Sequence, residues 1–319
     1  MGLIEQKNFR THKTAVDYLR RGNDHWWDQG SDEIAWVFRG QWNANWLLTP
    51  TAWREAKYLD KSFRKLRGRV SELKSEYSHK DDPDSLFGHD NVAQLFTEIE
   101  AIGQFAEMAD THGFQVPTIP EKFRPFKAGN LGTGHIFHDG FPSELRAAGA
   151  IAQHHGVPTQ FLDWTDVPLV AAYFATGYQF RSEDDASDCA VFALHKRNME
   201  RLCELSRKEC RYCSRVEAFR GSHAASDYQR SQGGLFLEID APWQFRKQHG
   251  RWPDLESVIN IMCERPPSDR VVLRKITFPS AVADDVLTRI DREGVNLARL
   301  MPTLDNVAAT VKSRWRAMP

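Results

Sequence analysis

The sequence predicts an α+β fold in which several short strands build one sheet, with helices interspersed among them and a helical C-terminal end. Three observations carry this expectation. Compact apolar runs of strand length recur at 34–38, 161–162, 190–194, 235–239 and 271–276. Between and after them, apolar residues return at helical spacing. The 319 residues, 41% hydrophobic and 11% aromatic, suffice for a substantial core, and 42 Lys plus Arg nearly balance 43 Asp plus Glu. That balance excludes a polybasic nucleic-acid coat, an acidic tail and a disordered regulator.

Along the chain, Ala15, Leu19 and Trp26 among charges predict an N-terminal helical segment over 1–29. After Ser31-Asp32, the run from Ile34 to Phe38 reads as a buried strand that turns at Arg39-Gly40. Phe63, Leu66, Val70, Leu73 and Tyr77 lie on one side of a helix over 60–80. Its Lys61, Arg64, Lys65, Arg67, Arg69, Lys74 and Lys80 form either a solvated face or a phosphate-backbone contact. Asn91 to Met108 reads as a helix with Leu95, Ile99, Ile102, Phe105 and Ala106 inward, and 115–142, rich in Pro and Gly, as a long irregular connection. Ser143 is expected to cap a helix running to His154. A turn at Gly156-Val157-Pro158 leads to the strand at Phe161-Leu162, and Pro168 opens a helix through Leu169, Val170, Tyr173 and Phe174. Helices close the chain at 279–292, 295–300 and 303–316.

No 18-residue apolar stretch and no signal-peptide core occur, so a cytoplasmic location without membrane contact is expected. Met1-Gly2-Leu3 opens like a myristoylation signal, but Gln6 stands where Ser or Thr is required. Five scattered cysteines fit a reducing compartment.

Two polar patches sit at the ends of apolar runs, where a scaffold presents them rigidly. In Phe38-Arg39-Gly40-Gln41, followed by Trp46-Leu47-Leu48-Thr49-Pro50 and Arg54, Arg39 suits a bidentate grip on phosphate, with Gly40 letting a ligand approach the backbone. Equally, Arg39 could pair with a structural carboxylate such as Asp163. In the segment from Gln153 to Thr165, Asp163 and Thr165 flank Trp164 and suit either a site or the cap of the next helix. His154 and His155 suit an acid/base pair or a helix C-terminus. Cys203, Cys210 and Cys213, with His195 and His223, offer ligand types for structural zinc, but a second Cys-x-x-Cys is missing and no metal is expected. P-loop, Rossmann, nucleophile-elbow and zincin motifs are also absent.

Together these segments resemble the FRG-domain family. The resemblance continues through Pro168, Ala171 and Phe174, Gln232-Gly233-Gly234-Leu235-Phe236, Leu273-Arg274-Lys275-Ile276, and Leu300-Met301-Pro302-Thr303-Leu304-Asp305. It implies a single domain over 30–312, with insertions at about 56–142 and 195–225 and a tail at 313–319. It further implies a setting in bacterial or phage conflict, as a defence effector or toxin with an antitoxin or defence-system partner. A second resemblance is to arginine-type ADP-ribosyltransferases, in which aromatic-Arg-Gly ends the first core strand and a Phe-x-Ser-Thr-Ser strand precedes a helix bearing Ala and Phe. Val37-Phe38-Arg39-Gly40 and the segment from Phe161 to Ala175 are similar in order and type, with Asp163 and Thr165 in the Ser-Thr-Ser places. Where those enzymes carry Glu-x-Glu before a late strand, this chain has Gln232 and Gly234.

This second resemblance implies an ADP-ribosyltransferase-like, mixed or antiparallel β core and NAD as substrate. Arg39, with Gly40 and Gln41, would hold the NAD phosphates, and Asp163 and Thr165 the nicotinamide riboside. Gln153, Thr159 and Trp164 would complete the binding site. Gln232 would contact ribose or acceptor, and His154 or Asp163 would supply the base. The acceptor would be a nucleic acid or a protein, and the basic residues of 61–80 and 197–220 favour nucleic acid. Two other classes stay open: a non-catalytic module binding a nucleotide or partner, and a nuclease or other hydrolase using Asp163 and the histidines.

Overall fold

The computed structural model describes residues 2–28, 32–73, 88–124, 141–177, 187–209, 215–221, 231–262 and 271–316. It is an α+β protein built on a seven-stranded, mostly antiparallel sheet. The strands are β1 (Ile4–Asn8), β2 (Trp36–Gln41), β3 (Phe161–Thr165), β4 (Cys189–His195), β5 (Val216–Phe219), β6 (Gly234–Ile239) and β7 (Leu273–Phe278), in the order β1-β7-β4-β2-β3-β6-β5. Only β1 and β7 pair in parallel; the other neighbours are antiparallel. The helices are α1 (His12–Leu19), α2 (Lys61–Leu73), α3 (His89–Thr111), α4 (Ser143–His154), α5 (Pro168–Thr176), α6 (Lys196–Glu209), α7 (Pro242–His249), α8 (Leu255–Ile261), α9 (Ala283–Asp291), α10 (Leu297–Leu300) and α11 (Leu304–Arg316).

The central strands are largely apolar because most of both their faces is buried, with Arg39 and Asp163 as exceptions where β2 and β3 adjoin. Alternate residues Val37, Leu162, Trp164, Phe192, Leu194, Leu235 and Leu237 enter one core, which Trp53, Phe63, Met199, Leu202, Leu255 and Val258 complete. On the opposite face the core is divided. Phe38, Val191, Ala193, Ile276 and Phe278 pack under α1, α5 and α9, while Phe161 and Phe236 pack under α3 and α4.

The division coincides with a weak place in the sheet. β2 meets β4 in six residue pairs but meets β3 in one, Phe38 opposite Thr165. Past that pair the two strands part.

Several expectations change. The segment 1–29 is not helical throughout: Ile4–Asn8 forms the edge strand β1 along β7, and α1 is a short helix N-capped by Thr11. Ser143 is the first residue of α4, with Pro142 at the cap position and no side-chain cap bond. The helix expected over 91–108 is buried on all sides from Asn91 to Gly103, because α2 packs along it and the Thr51–Trp53 turn takes up its polar residues Gln94 and Glu98. Of the helix expected over 60–80, residues 74–80 lie outside the described residues, as do 125–140 of the irregular connection. Strand β5 and helices α7 and α8 gave no sequence signal.

Gly40 lets a helix, not a ligand, come close. A Cβ there would overlap the carbonyl oxygen of Ala171 and lie 2.5 Å from the nitrogen of Ala175, so α5 rests directly on the β2 backbone. Gly40→Ala is therefore expected to cost more than about 3 kcal/mol or to prevent folding, since the obstacle is backbone on both sides. Urea unfolding of the variant checks this, and a loss below about 1 kcal/mol contradicts it.

Candidate functional site

Where β2 and β3 part, side chains from both layers meet. By strand alternation Arg39 shares a face with Val37, and Asp163 shares the other with Phe161. The Arg39 guanidinium bridges the gap: Nη1 donates to the Asp163 carbonyl oxygen at 2.8 Å and to the carboxylate Oδ1. From α4, Gln153 Nε2 also donates to Oδ1 at 3.1 Å. Thr159 donates its hydroxyl to Gln153 Oε1, which fixes the amide orientation. Among the described residues, no side chain is hydrogen-bonded or ion-paired to Oδ2.

The electrostatics suit a recess. The Asp163 side chain keeps 62% of its surface open to solvent, whereas Arg39 beside it keeps 10%. Desolvation by surrounding protein would raise the Asp163 carboxyl, but the charge and hydrogen bond of Arg39, with the charge of Arg54, hold it below the usual carboxylate range. Asp163 is therefore an ionised group that solvent can reach on a protein-walled floor. Arg54 is pushed down to about 10 by burial and by Arg39, partly offset by Asp163. Burial and the neighbouring His155 lower His154, with Asp163 acting the other way, which favours a neutral imidazole at neutral pH.

The structure thus brings Arg39, Asp163, Gln153 and Thr159 into direct contact, with His154 within reach of the Asp163 charge. Other candidates fall elsewhere. Gln41 is buried and donates to the Trp46 carbonyl at 3.0 Å. Trp164 is core, on the face opposite Asp163. Thr165 accepts from the Val167 N–H at 3.0 Å, which tightens the entry to α5, and donates to the Gln232 carbonyl. The Gln232 carboxamide turns away to the Leu300 carbonyl at 3.1 Å. Gly233, with φ of +59°, makes a left-handed turn against Asp166 before β6.

Cys203 is buried in α6, while Cys210, Cys213 and His223 lie outside the described residues. Among the described residues, no three His, Cys, Asp or Glu side chains are grouped to hold a metal. In the basic 197–220 stretch, Arg197 pairs with Asp28 and Arg220 with Asp166, and Arg211 lies outside the described residues. On α2, Lys61, Arg64 and Lys65 are exposed. No helix of the described residues is long and apolar enough to cross a membrane.

Two contributors had no assigned role in the sequence reading. Arg54 follows the short helical turn Thr51–Trp53, and Glu98 of α3 anchors that turn from beneath. The Trp53 indole donates to Glu98 Oε1 at 2.9 Å, and Gln94 Nε2 donates both to Oε1 at 2.8 Å and to the Ala52 carbonyl at 3.0 Å. The Ala52 N–H donates to the Thr159 carbonyl at 3.1 Å, so hydrogen bonds run continuously from Glu98 to Asp163. A buried Glu in α3 resembles a solvent-face residue in sequence, so only its spacing from Gln94 hinted at the link.

A family model described as the FRG domain matches residues 135–184. The match takes in α4, β3 and α5, and hence Gln153, His154, Thr159, Asp163 and Thr165. It is narrower than the 30–312 span of the motif resemblance and does not include Arg39 or Gln232. No curated protein and no solved structure matches the chain.

Burial pushes Glu98 up to about 7, against its bonds from Gln94 and Trp53, and burial likewise pushes Glu238 to about 7 despite Arg146. A carboxyl raised in the folded state contributes stability that is complete below pH about 4.5 and is lost as pH rises through about 7. His25, His154 and His195, all lowered mainly by burial, act oppositely in an overlapping window, so the difference between parent and Glu98→Gln isolates Glu98. The parent is expected to lose ground to Glu98→Gln by up to about 3 kcal/mol between pH 5 and 8. Thermal unfolding of both across that range checks it, and parallel pH profiles would refute it.

Proposed function

We propose that this protein is an NAD-dependent ADP-ribosyltransferase-like effector that modifies a nucleic acid or protein acceptor in a defence or toxin setting. The observation that carries this reading is Asp163: a carboxylate held ionised by Arg39, fixed by Gln153, with one oxygen left open on an accessible floor. Cleaving the nicotinamide–ribose bond builds positive charge on the ribose ring, and a fixed carboxylate in a walled recess stabilises that charge. The bonding electrons leave with nicotinamide. An acceptor N–H or O–H group then attacks C1′, and its proton passes to a base, for which the neutral imidazole of His154 is suited.

The layout also supports the reading. The strand bearing Phe38-Arg39-Gly40 adjoins the strand Phe161–Thr165, which leads straight into α5, and α5 lies on Gly40. This is the order that the transferase resemblance implies.

A second reading, a nucleotide- or partner-binding module without turnover, is favoured by Gln232 and Gly234. Gly234 stands at the place of the expected second acid, and the Gln232 carboxamide is committed to Leu300.

Adenylate-labelled NAD incubated with separate pools of DNA, RNA and cell protein tests both readings. Label transfer and nicotinamide release are expected from the parent protein, and Asp163→Asn is expected to lower both at least about 100-fold. Stabilisation by NAD without nicotinamide release in any pool would replace the transferase reading with the binding module. Neither stabilisation nor release would remove NAD altogether.

A further inference from the structure

The two guanidiniums at the recess are not equivalent. Arg39 is committed: Nη1 serves Asp163 twice, and Nε is buried without an acceptor. Arg54 is half-buried, and its Nε makes one long contact, to the Thr49 carbonyl at 3.4 Å. Among the described residues, neither Nη of Arg54 has a hydrogen-bond or ion-pair partner. The acid whose charge reaches it, Asp163, is already bound to Arg39. Two guanidiniums and one carboxylate leave the recess with a surplus positive charge, carried on donors that nothing accepts from.

Arg54 is nonetheless rigidly mounted. Ala52 is tied on both sides, to Thr159 and to Gln94, and Trp53 is bonded to Glu98 and stacked on Trp252 with ring centroids 5.7 Å apart. A half-buried cation held next to another cation is costly unless an anion compensates it. A planar fork with free paired N–H groups matches two phosphate oxygens.

We propose that Arg54, rather than Arg39, is the anion site of the recess, taking a phosphoryl or pyrophosphate group of the ligand. Arg39 acts as the strut that holds Asp163 across the strand gap. This assignment rests on the transferase reading for the rest of the ligand, whereas the anion site rests on Arg54 alone.

Calorimetric titration of inorganic pyrophosphate, ADP-ribose and adenosine into the parent, Arg54→Gln and Arg54→Lys at low salt tests it. Pyrophosphate and ADP-ribose are expected to bind the parent, to lose at least tenfold in affinity with Arg54→Gln, and to recover part of it with Arg54→Lys. Any binding of adenosine is expected to be the same in all three. If Arg54→Gln fails to fold, Arg54→Lys still reports, because losing the fork while keeping the charge is expected to weaken pyrophosphate binding severalfold. Equal affinity in parent and variants, or no binding of pyrophosphate and ADP-ribose to the parent, overturns the proposal. Arg54-dependent pyrophosphate binding with no nicotinamide release from NAD upholds the anion site and defeats the transferase reading. Nicotinamide release with the same KM in parent and Arg54→Gln does the reverse.

Discussion

The molecule is organised around the place where its sheet stops being a sheet. A single residue pair joins β2 to β3, and beyond it a guanidinium takes the carbonyl of Asp163. That substitution ties the two halves of the sheet together while leaving a gap between them. The gap lets side chains from opposite faces converge, which an unbroken ladder would forbid because its pleat separates them. It also explains the divided core, since α5 covers one half of that face and α4 the other.

Much of this was legible in the sequence, and what was missed has a common cause. Five of the seven strands announced themselves as apolar runs because they are interior and buried on both faces. The two that gave no signal, β1 with Ile-Glu-Gln-Lys-Asn and β5 with Val-Glu-Ala-Phe, are the two edges, where polar residues are tolerated and even protective. Helix α3 misled differently. Its polar residues Gln94 and Glu98 imitate a wet face but are buried, their polar atoms taken up largely by hydrogen bonds to Trp53, to Ala52 and to each other. Periodicity counts polarity and cannot tell whether water or a neighbouring indole satisfies it.

The site shows the same division between what a residue type says and what its surroundings decide. The pairing of Arg39 with Asp163 was one of the two readings open from composition, and it is the one observed. Gly40 correctly signalled a close approach, but the glycine alone could not say that α5, not a ligand, makes it. Thr165 proved to brace the turn before α5, the capping alternative in a modified form. Gln232 was placed near the site by motif order, yet its amide is committed to Leu300. Arg54 stood in the quoted motif without a role because its significance lies in missing partners, which no local pattern reveals.

The pairing of β1 with β7 bears on how the chain reaches this state. Ile4 lies opposite Leu273, and Arg274 holds Glu5 across a separation of 269 residues. During synthesis β1 is made long before β7, the strand on which it docks. One edge of the sheet therefore waits for nearly the whole sequence, and β4 meanwhile lacks its β7 neighbour. The loop between β1 and β7 is longer than that closed by any other strand pair of the sheet, so this seam is expected to form late. In such an order, the pairing of β1 with β7 acts as a late latch along one edge of the sheet.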